Sequence, residues 1–371
     1  MKIPLEERIA AFIRTGEMLR DLAGVMKNGE SGIRLPAGFN RAMKDFLQTA
    51  REAEKQNPWF DGGHIGRAIE AIAVMLASDT LHRWLGGYPR SEDHPEKPLT
   101  VLIVMAGNIP LVGFHDLLCV LISGHRALVK TASADSLLPQ ALAALITEAD
   151  PRLGRNIAFS GARARNFDAV IATGSNNSAR YFDYYFGQLP HIIRKNRNSM
   201  AVLTGNESVS ELRLLGDDVF SYYGLGCRNV SQLWVPAGFS LEDLASAWGE
   251  FREIAGNPKY LHNLLFQRAI SQVNRDVHTD LGFSILREDS GLASPLAVVH
   301  YQLSNHPADA FRFAAQHLED LQCLVCSGLP GEFREDTGLA AMLTGFGQTQ
   351  QPAPWEYADR VDTLQFLTGI C

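Results

Sequence analysis

Between Leu99 and Lys130 the chain reads LTVLIVMAGNIPLVGFHDLLCVLISGHRALVK, and this run limits the fold more than any other part of the sequence. LTVLIV is a short branched apolar run without polar alternation, the pattern of a strand covered on both faces. MAGNIP then turns, LVGFHDLLCVLIS has the length and spacing of a helix, Gly124 stops it, and RALVK supplies another strand. Residues 100 to 130 therefore read as a compact βαβ unit. Gly107, Asn108, Pro110, His115 and Asp116 interrupt this apolar stretch, a costly combination in a lipid-facing helix, so a buried strand-turn-helix is expected and no membrane span.

The alternation continues downstream. DSLLPQALAALITEA reads as a helix, NIAFS and FDAVIAT as strands, and the second strand runs into the helical GSNNSARYFDYYF. Nearly all-apolar strands alternating with helices predict a mostly parallel sheet covered on both faces. Upstream, EERIAAFIRTGEMLRDLAGVM and IGRAIEAIAVMLASDTLHRWL place apolar residues three and four apart and predict a helical layer, closed by GGYPRSEDHPEKP. After MAVLTGNE a helix near VSELRLLGDDVFSYYG ends in GLGCRNVSQLWVP, and a second α/β region begins. This predicts an N-terminal helical region over 1–95, a first α/β region over 96–215 and a second over 216–371, with a Pro- and Gln-rich loop, GFGQTQQPAPWE, before the last apolar segment.

Composition excludes several classes. A chain of 371 residues, 46% hydrophobic and 20% charged, supports two packed cores and is not a disordered or charge-driven polymer. Its 34 Lys and Arg against 41 Asp and Glu give a formal charge of -7 and no electrostatic footprint for nucleic acid. The five cysteines are too few and too unevenly spread for a disulfide framework, so a reducing, cytoplasmic setting is expected. MKIPLEERIAAFIRTG carries acidic residues in its first apolar stretch and lacks the uninterrupted core of a signal peptide.

Four places carry candidate chemistry. Cys227 lies in YYGLGCRN, where Gly224 and Gly226 permit a tight backbone that lets Arg228 and nearby amides approach the sulfur, an environment that favours a thiolate. The same residue also reads as a small buried side chain at a turn. Asn108 follows the strand LTVLIV at its carboxyl end, where its amide could donate to a developing oxyanion or simply satisfy the turn. Lys130 ends the next strand and could reach a cofactor ribose or phosphate, or solvent. IATGSNNSAR joins a strand, a glycine turn and a helix start, which can present amides and hydroxyls to an anion. Cys119 sits in an apolar helix, Cys371 is terminal, and CLVC at Cys323 and Cys326 has no second pair to complete a zinc site. There is no HExxH, GxSxG, Walker A or GxGxxG pattern, and no metal is expected.

Taken in order, MAGNIP, ALVKTAS, ATGSNN, MAVLTGNE and YYGLGCRN resemble the landmarks of the aldehyde dehydrogenase superfamily, and more narrowly the acyl-CoA reductase family that contains the fatty-acid reductase component of bacterial bioluminescence systems. The resemblance covers about residues 95 to 371. It implies an α/β aldehyde dehydrogenase-like fold, with a nicotinamide dinucleotide-binding region over 96–215 and a catalytic region over 216–371. It further implies that Cys227 attacks a fatty acyl thioester, that Asn108 and the Cys227 amide stabilise the oxyanion, and that hydride from a nicotinamide cofactor releases the aldehyde. Lys130 matches the lysine that holds the adenosine ribose, and Thr173, Gly174 and Ser175 match the turn beside the dinucleotide.

One departure bears on the reaction. Aldehyde-oxidising members carry ELGG, whose glutamate activates the hydrolytic water, and the matching text is taken as VLTG with Val202 at the glutamate position. This favours reduction of a thioester over oxidation to a free acid. Glu207 stands nearby in sequence as a candidate general base, out of register with the family glutamate. Ser133 or Ser136, in TASADS after Lys130, could tolerate a 2′-phosphate, so NADPH is preferred and NADH stays open. Fatty acyl-CoA, acyl carrier protein or an acylated synthetase subunit are the candidate acyl donors, and the superfamily implies a homo-oligomer. The competing readings are a CoA-independent aldehyde dehydrogenase and an inactive scaffold in a fatty-acid reductase complex.

Overall fold

In a computed structural model, residues 3–27, 38–88, 97–161 and 163–370 are described. The chain divides into two compact units, the first formed by residues 1–195 with 351–371 and the second by 196–350.

The first unit opens with four helices, α1 (Leu5–Lys27), α2 (Arg41–Gln56), α3 (Gly62–Met75) and α4 (Ser78–Leu85). Asn40 and Asp61 cap α2 and α3 by accepting from backbone amides three residues on. The alternation predicted after Leu99 is realised as β1 (Thr100–Val104), α5 (Phe114–Ile122), β2 (Arg126–Lys130), α6 (Leu138–Ala149), then, after an unpredicted short α7 (Pro151–Gly154), β3 (Ile157–Phe159), β4 (Ala169–Thr173) and α8 (Asn176–Phe186), and a further strand, β5 (His191–Arg194), follows without having been predicted. The five strands form one parallel sheet in the order β3-β2-β1-β4-β5. Strand order reverses between β1 and β4, and the crevice outside the carboxyl ends of strands at such a point is where open α/β sheets bind ligands.

The second unit contains β6 (Asn198–Val202), α9 (Val209–Phe220), β7 (Val230–Pro236), α10 (Leu241–Ala247), α11 (Pro258–Asn274), β8 (His278–Asp280), β9 (Ile285–Glu288), β10 (Val298–Ser304), α12 (Pro307–Gln316), β11 (Leu321–Val325), α13 (Thr337–Ala340) and β12 (Leu343–Thr344). Its sheet runs β12-β11-β6-β7-β10-β9-β8, parallel except for the β8–β9 edge. The chain then returns to the first unit through α14 (Thr363–Gly369).

These units redraw the sequence boundaries at 95/96 and 215/216, the first of which falls within residues outside the described set. Phe12, Leu19, Phe46 and Ile69 of the N-terminal helices share one core with Val101, Ile103, Leu118 and Ile146, so the helical layer does not close a core of its own. The second boundary moves forward because β6 lies between β11 and β7, inside the second sheet. The tail belongs to the first unit because Tyr357, Leu364 and Leu367 join its core, His125 Nε2 donates to the Leu367 carbonyl at 3.0 Å, and Trp84 Nε1 donates to Tyr357 at 2.8 Å. Cys119 is fully buried there and burial pushes its thiol up, as expected for a structural cysteine.

Candidate active site

Six of the residues singled out in the sequence gather at one edge of the first sheet. Asn108 follows β1, Lys130 ends β2 and Ser133 follows it, and Thr173, Gly174 and Ser175 close β4, so all lie at the carboxyl ends of three neighbouring strands around the switch point. Asn108, Ser133 and Ser175 are exposed, and Lys130, Thr173 and Gly174 are half-buried. The backbone is drawn in tightly here. A Cβ at Gly107 would stand 2.7 Å from the Ala132 Cβ, and one at Gly174 would stand 2.9 Å from the Ser178 Cβ, so glycine is what lets each strand turn at that point. Ser175 caps α8 by accepting from the Ser178 amide, so an eleven-residue helix starts at this edge. Strand-end lysine, glycine turn and helix start are the parts needed to hold the phosphates and ribose of a dinucleotide.

Asp135 braces this edge from below. It is 4% exposed, and its carboxylate accepts from the Leu111 amide, which holds the loop after β1 in place. Burial raises its pKa to about 7.

Cys227 stands at the amino end of β7 in the second unit, half-buried and outside any disulfide. The loop that carries it is conformationally unusual. Tyr222, Tyr223 and Gly224 are all left-handed, with φ of 53°, 59° and 75°, which costs about 1–2 kcal/mol for each tyrosine. Burial of both tyrosine rings opposes that cost, as does Asn229, whose side-chain amide donates to the carbonyls of Asp218, Val219 and Ser221 and whose oxygen accepts from the Gly226 amide. Ser199 donates to the Cys227 carbonyl at 3.0 Å and accepts from the Cys323 amide at 3.1 Å. Arg228 places its guanidinium 3.4 Å from the Cys323 sulfur.

A cavity of about 230 Å³ lies against this loop at the amino ends of β6, β7 and β10. Gly224, Leu225, Gly226 and Asn229 form one wall, Asn196 to Asn198 a second, and Ala293 to Val299 a third, with Tyr260 and Ser284 between them. Its lining contains no carboxylate and no imidazole.

The position assigned to Val202 is corrected by strand register. Ser199 pairs with Val230, three residues after Cys227, whereas Val202 pairs with Trp234. Three residues of strand put Val202 about 10 Å farther along β6. It is 2% exposed and packs with Met200, Trp234 and Ala310. The residues of β6 beside the cysteine are Asn198 and Ser199. Glu207 follows the far end of β6, and its carboxylate accepts from the Thr204 amide at 2.6 Å, the Thr204 hydroxyl at 2.8 Å and the Gly205 amide at 3.0 Å. Asn229, Ser199 and the Asn196–Asn198 wall were not found from the sequence, because a buried asparagine and a strand-end serine carry no local pattern.

Among the described residues, no group of three or more His, Cys, Asp or Glu side chains could hold a metal ion, and no helix is long and apolar enough to cross a membrane.

The two sheets have counterparts in solved structures. An indole-3-acetaldehyde dehydrogenase from P. syringae, in complex with NAD+ and IAA, superposes with a TM-score of 0.65 at 13% identity over 92% of this chain and 76% of that one. An aldehyde dehydrogenase from Pseudomonas aeruginosa gives 0.65 at 14% identity over 92% and 76%, and one from Mycobacterium tuberculosis complexed with NAD+ gives 0.62 at 14% over 92% and 77%. The chain has the aldehyde dehydrogenase fold. Within that fold, residues 74–235, less than half of the chain, match the family model described as Acyl-CoA reductase (LuxC). No curated protein matches the chain.

Proposed function

We propose that this aldehyde dehydrogenase-fold protein is a nicotinamide-dependent oxidoreductase that reduces an acyl thioester to an aldehyde through an S-acyl intermediate on Cys227. The observation that carries the reading is Cys227 itself, half-buried on a loop that Asn229 and Ser199 hold at the amino end of β7, beside a cavity that the cysteine does not line and whose wall offers no carboxylate or imidazole. The partial match to the acyl-CoA reductase model supports the same choice of substrate.

In this reading the Cys227 thiolate attacks the thioester carbonyl and the carrier thiol leaves. Asn108 and the Cys227 amide donate to the oxyanion. Lys130, Thr173, Gly174, Ser175 and the first amides of α8 would hold the dinucleotide. When bound in reduced form, that cofactor supplies the hydride that turns the acyl group into an aldehyde. NADPH is favoured because Ser133 is exposed at the turn after Lys130, while Asp135, the acid closest in sequence, is buried with its carboxyl group engaged by backbone amides. NADH remains the alternative cofactor. The acyl donor is a fatty acyl-CoA or a protein-bound acyl group, the latter supplied by an acyl carrier or a synthetase partner.

A second reading, oxidation of an aldehyde to the free acid, is favoured by the relatives in the same fold, which are aldehyde dehydrogenases, two of them solved with NAD+. It would draw its base from a residue outside the cavity lining, and not from Glu207, which lies past the far end of β6 with its carboxylate held by Thr204 and Gly205.

Intact-mass analysis after addition of a long-chain acyl-CoA, run beside NADPH consumption and product analysis, separates the two. Acyl adduct and NADPH-dependent aldehyde, both lost in Cys227→Ala, are the expected result. Free acid formed from aldehyde and NAD+, with no adduct from acyl-CoA, would establish the second reading instead.

A further inference from the structure

We infer that Asn229 is a positioning residue for Cys227, acting through the backbone of the loop and not on the substrate; this rests on the reading of Cys227 as the nucleophile. The segment from Tyr222 to Gly224 turns left-handed, a conformation that two tyrosines do not adopt by preference. Something must hold it there, and Asn229 contacts the loop on both sides of that turn. Its Nδ2 donates to Asp218, Val219 and Ser221, before the turn, at 3.1, 3.2 and 2.9 Å. Its Oδ1 accepts from Gly226, after the turn, at 2.8 Å, and its own amide donates to the Gly226 carbonyl at 3.0 Å. One side chain thus fixes the ends of the turn against each other, one residue before Cys227.

Two other polar groups meet the loop without bridging its turn. Ser199 holds the Cys227 carbonyl, and Arg228 places its guanidinium against the Cys323 sulfur. Asn229 is 3% exposed and both polar atoms of its amide are engaged by the backbone, which leaves neither to meet a substrate. The anchor behind it is firm as well. Asp218, whose carbonyl accepts from Asn229, uses its carboxylate to accept from the Gly347 amide, the Thr349 amide and the Thr349 hydroxyl. The buried amide, its three carbonyl acceptors and this carboxylate form one continuous brace under the nucleophile.

The test compares wild type with Asn229→Ala and Asn229→Ser, each assayed below its own thermal transition. S-acylation of Cys227 by acyl-CoA and alkylation of Cys227 by iodoacetamide are followed by mass. Acylation demands a set thiol geometry, whereas alkylation demands little beyond access. Acylation is expected to fall roughly a hundredfold in the alanine variant and less in the serine variant, which keeps one donor. Alkylation should not fall, and KM for the thioester should stay within about twofold. Acylation at the wild-type rate in either folded variant overturns the inference, as does a parallel fall of acylation and alkylation. Failure of both variants to fold would assign Asn229 to folding alone and also overturn it. If wild type is alkylated but never acylated, the thioester reading fails; a shift in the pH midpoint of alkylation in the variants would then still support the brace, and an unchanged midpoint would overturn it.

Discussion

The hydroxyl of Ser199 donates to the carbonyl of Cys227 across 3.0 Å and so ties the cysteine to the amino end of β6. Any carboxylate meant to serve that cysteine from β6 must therefore come from the amino end of the strand, not from its far end.

Introducing a glutamate at Val202 should accordingly fail to create a hydrolytic enzyme. The side chain there is 2% exposed among Met200, Trp234 and Ala310, so an acid would be buried without a partner. Loss of about 3 kcal/mol or more of stability is expected for Val202→Glu, measured by urea unfolding. The ratio of free acid to aldehyde should not change in the folded fraction. Asn198→Glu places the acid on the cavity wall, and there the ratio should rise. A rise with Val202→Glu and none with Asn198→Glu would contradict the strand register.

Arg194 and Asp116 form a buried ion pair at 2.5 Å, with Arg194 also donating to Thr363 of the returning tail at 2.7 Å. Arg194 is 3% exposed, so removing its partner would leave a guanidinium charge in the core of the first unit. Asp116→Ala should cost about 3–5 kcal/mol. A double change to Asp116→Leu and Arg194→Met should recover most of that loss, because it removes both charges. Equal instability of the single and double variants in denaturant titrations would show that packing, not the unpaired charge, dominates.

The contrast between these two sites shows what the sequence could and could not reveal. The strands and helices between Leu99 and Phe186, apart from the one-turn α7, were legible because each is marked locally, by a branched apolar run, a glycine stop or a turn. The glycines around Cys227 and the strand-end position of Lys130 were legible for the same reason. Links between Arg194 and Thr363, or Trp84 and Tyr357, join residues far apart in the chain and leave no periodic trace, so the tail's return to the first unit was missed. VLTG does not place Val202, because a four-residue motif does not specify strand register. The parallel pairing of β6 with β7 does.

Asp135 should make stability fall with rising pH over a defined window. Its folded pKa, about 7, lies above the ordinary carboxylate value of 3.8, with burial as the main cause and the amides of Leu111 and Leu138 opposing it. The folded state therefore holds a proton that the unfolded chain has released. Its contribution is complete below about pH 4 and is lost as pH rises to about 7, at a limiting slope of about 1.4 kcal/mol per pH unit. Asp135→Asn removes this titration. The stability of the variant relative to wild type should rise across that window in urea unfolding, and a flat difference would show that Asp135 is already ionised.

His300 should act in the opposite direction. Arg287 can only donate, so the 2.8 Å contact between its Nη2 and His300 Nε2 makes that ring nitrogen an acceptor. Nδ1 then carries the hydrogen and donates to the Gly291 carbonyl at 2.8 Å, fixing a neutral tautomer. Burial is the largest cause of its lowered pKa, the Arg287 charge adds to it, and the Gly291 carbonyl and Asp289 oppose it. Protonation would set a second positive charge against the guanidinium and loosen the 289–296 loop, which Gln232 and Ser231 also hold through the carbonyls of Ser290 and Leu292. Because the folded pKa lies below the ordinary value of 6.5, stability is present above that value and is lost as pH falls through and below it. Hydrogen exchange at Gly291 to Leu296 should therefore quicken between pH 7 and pH 5 beyond the change in intrinsic rate, and Ala293 to Leu296 line the cavity against the Cys227 loop. In His300→Gln the excess should disappear. An excess that survives this substitution would place the acid-sensitive group elsewhere, with Asp289 and Asp276, the carboxylates facing Arg287, as the next to be replaced.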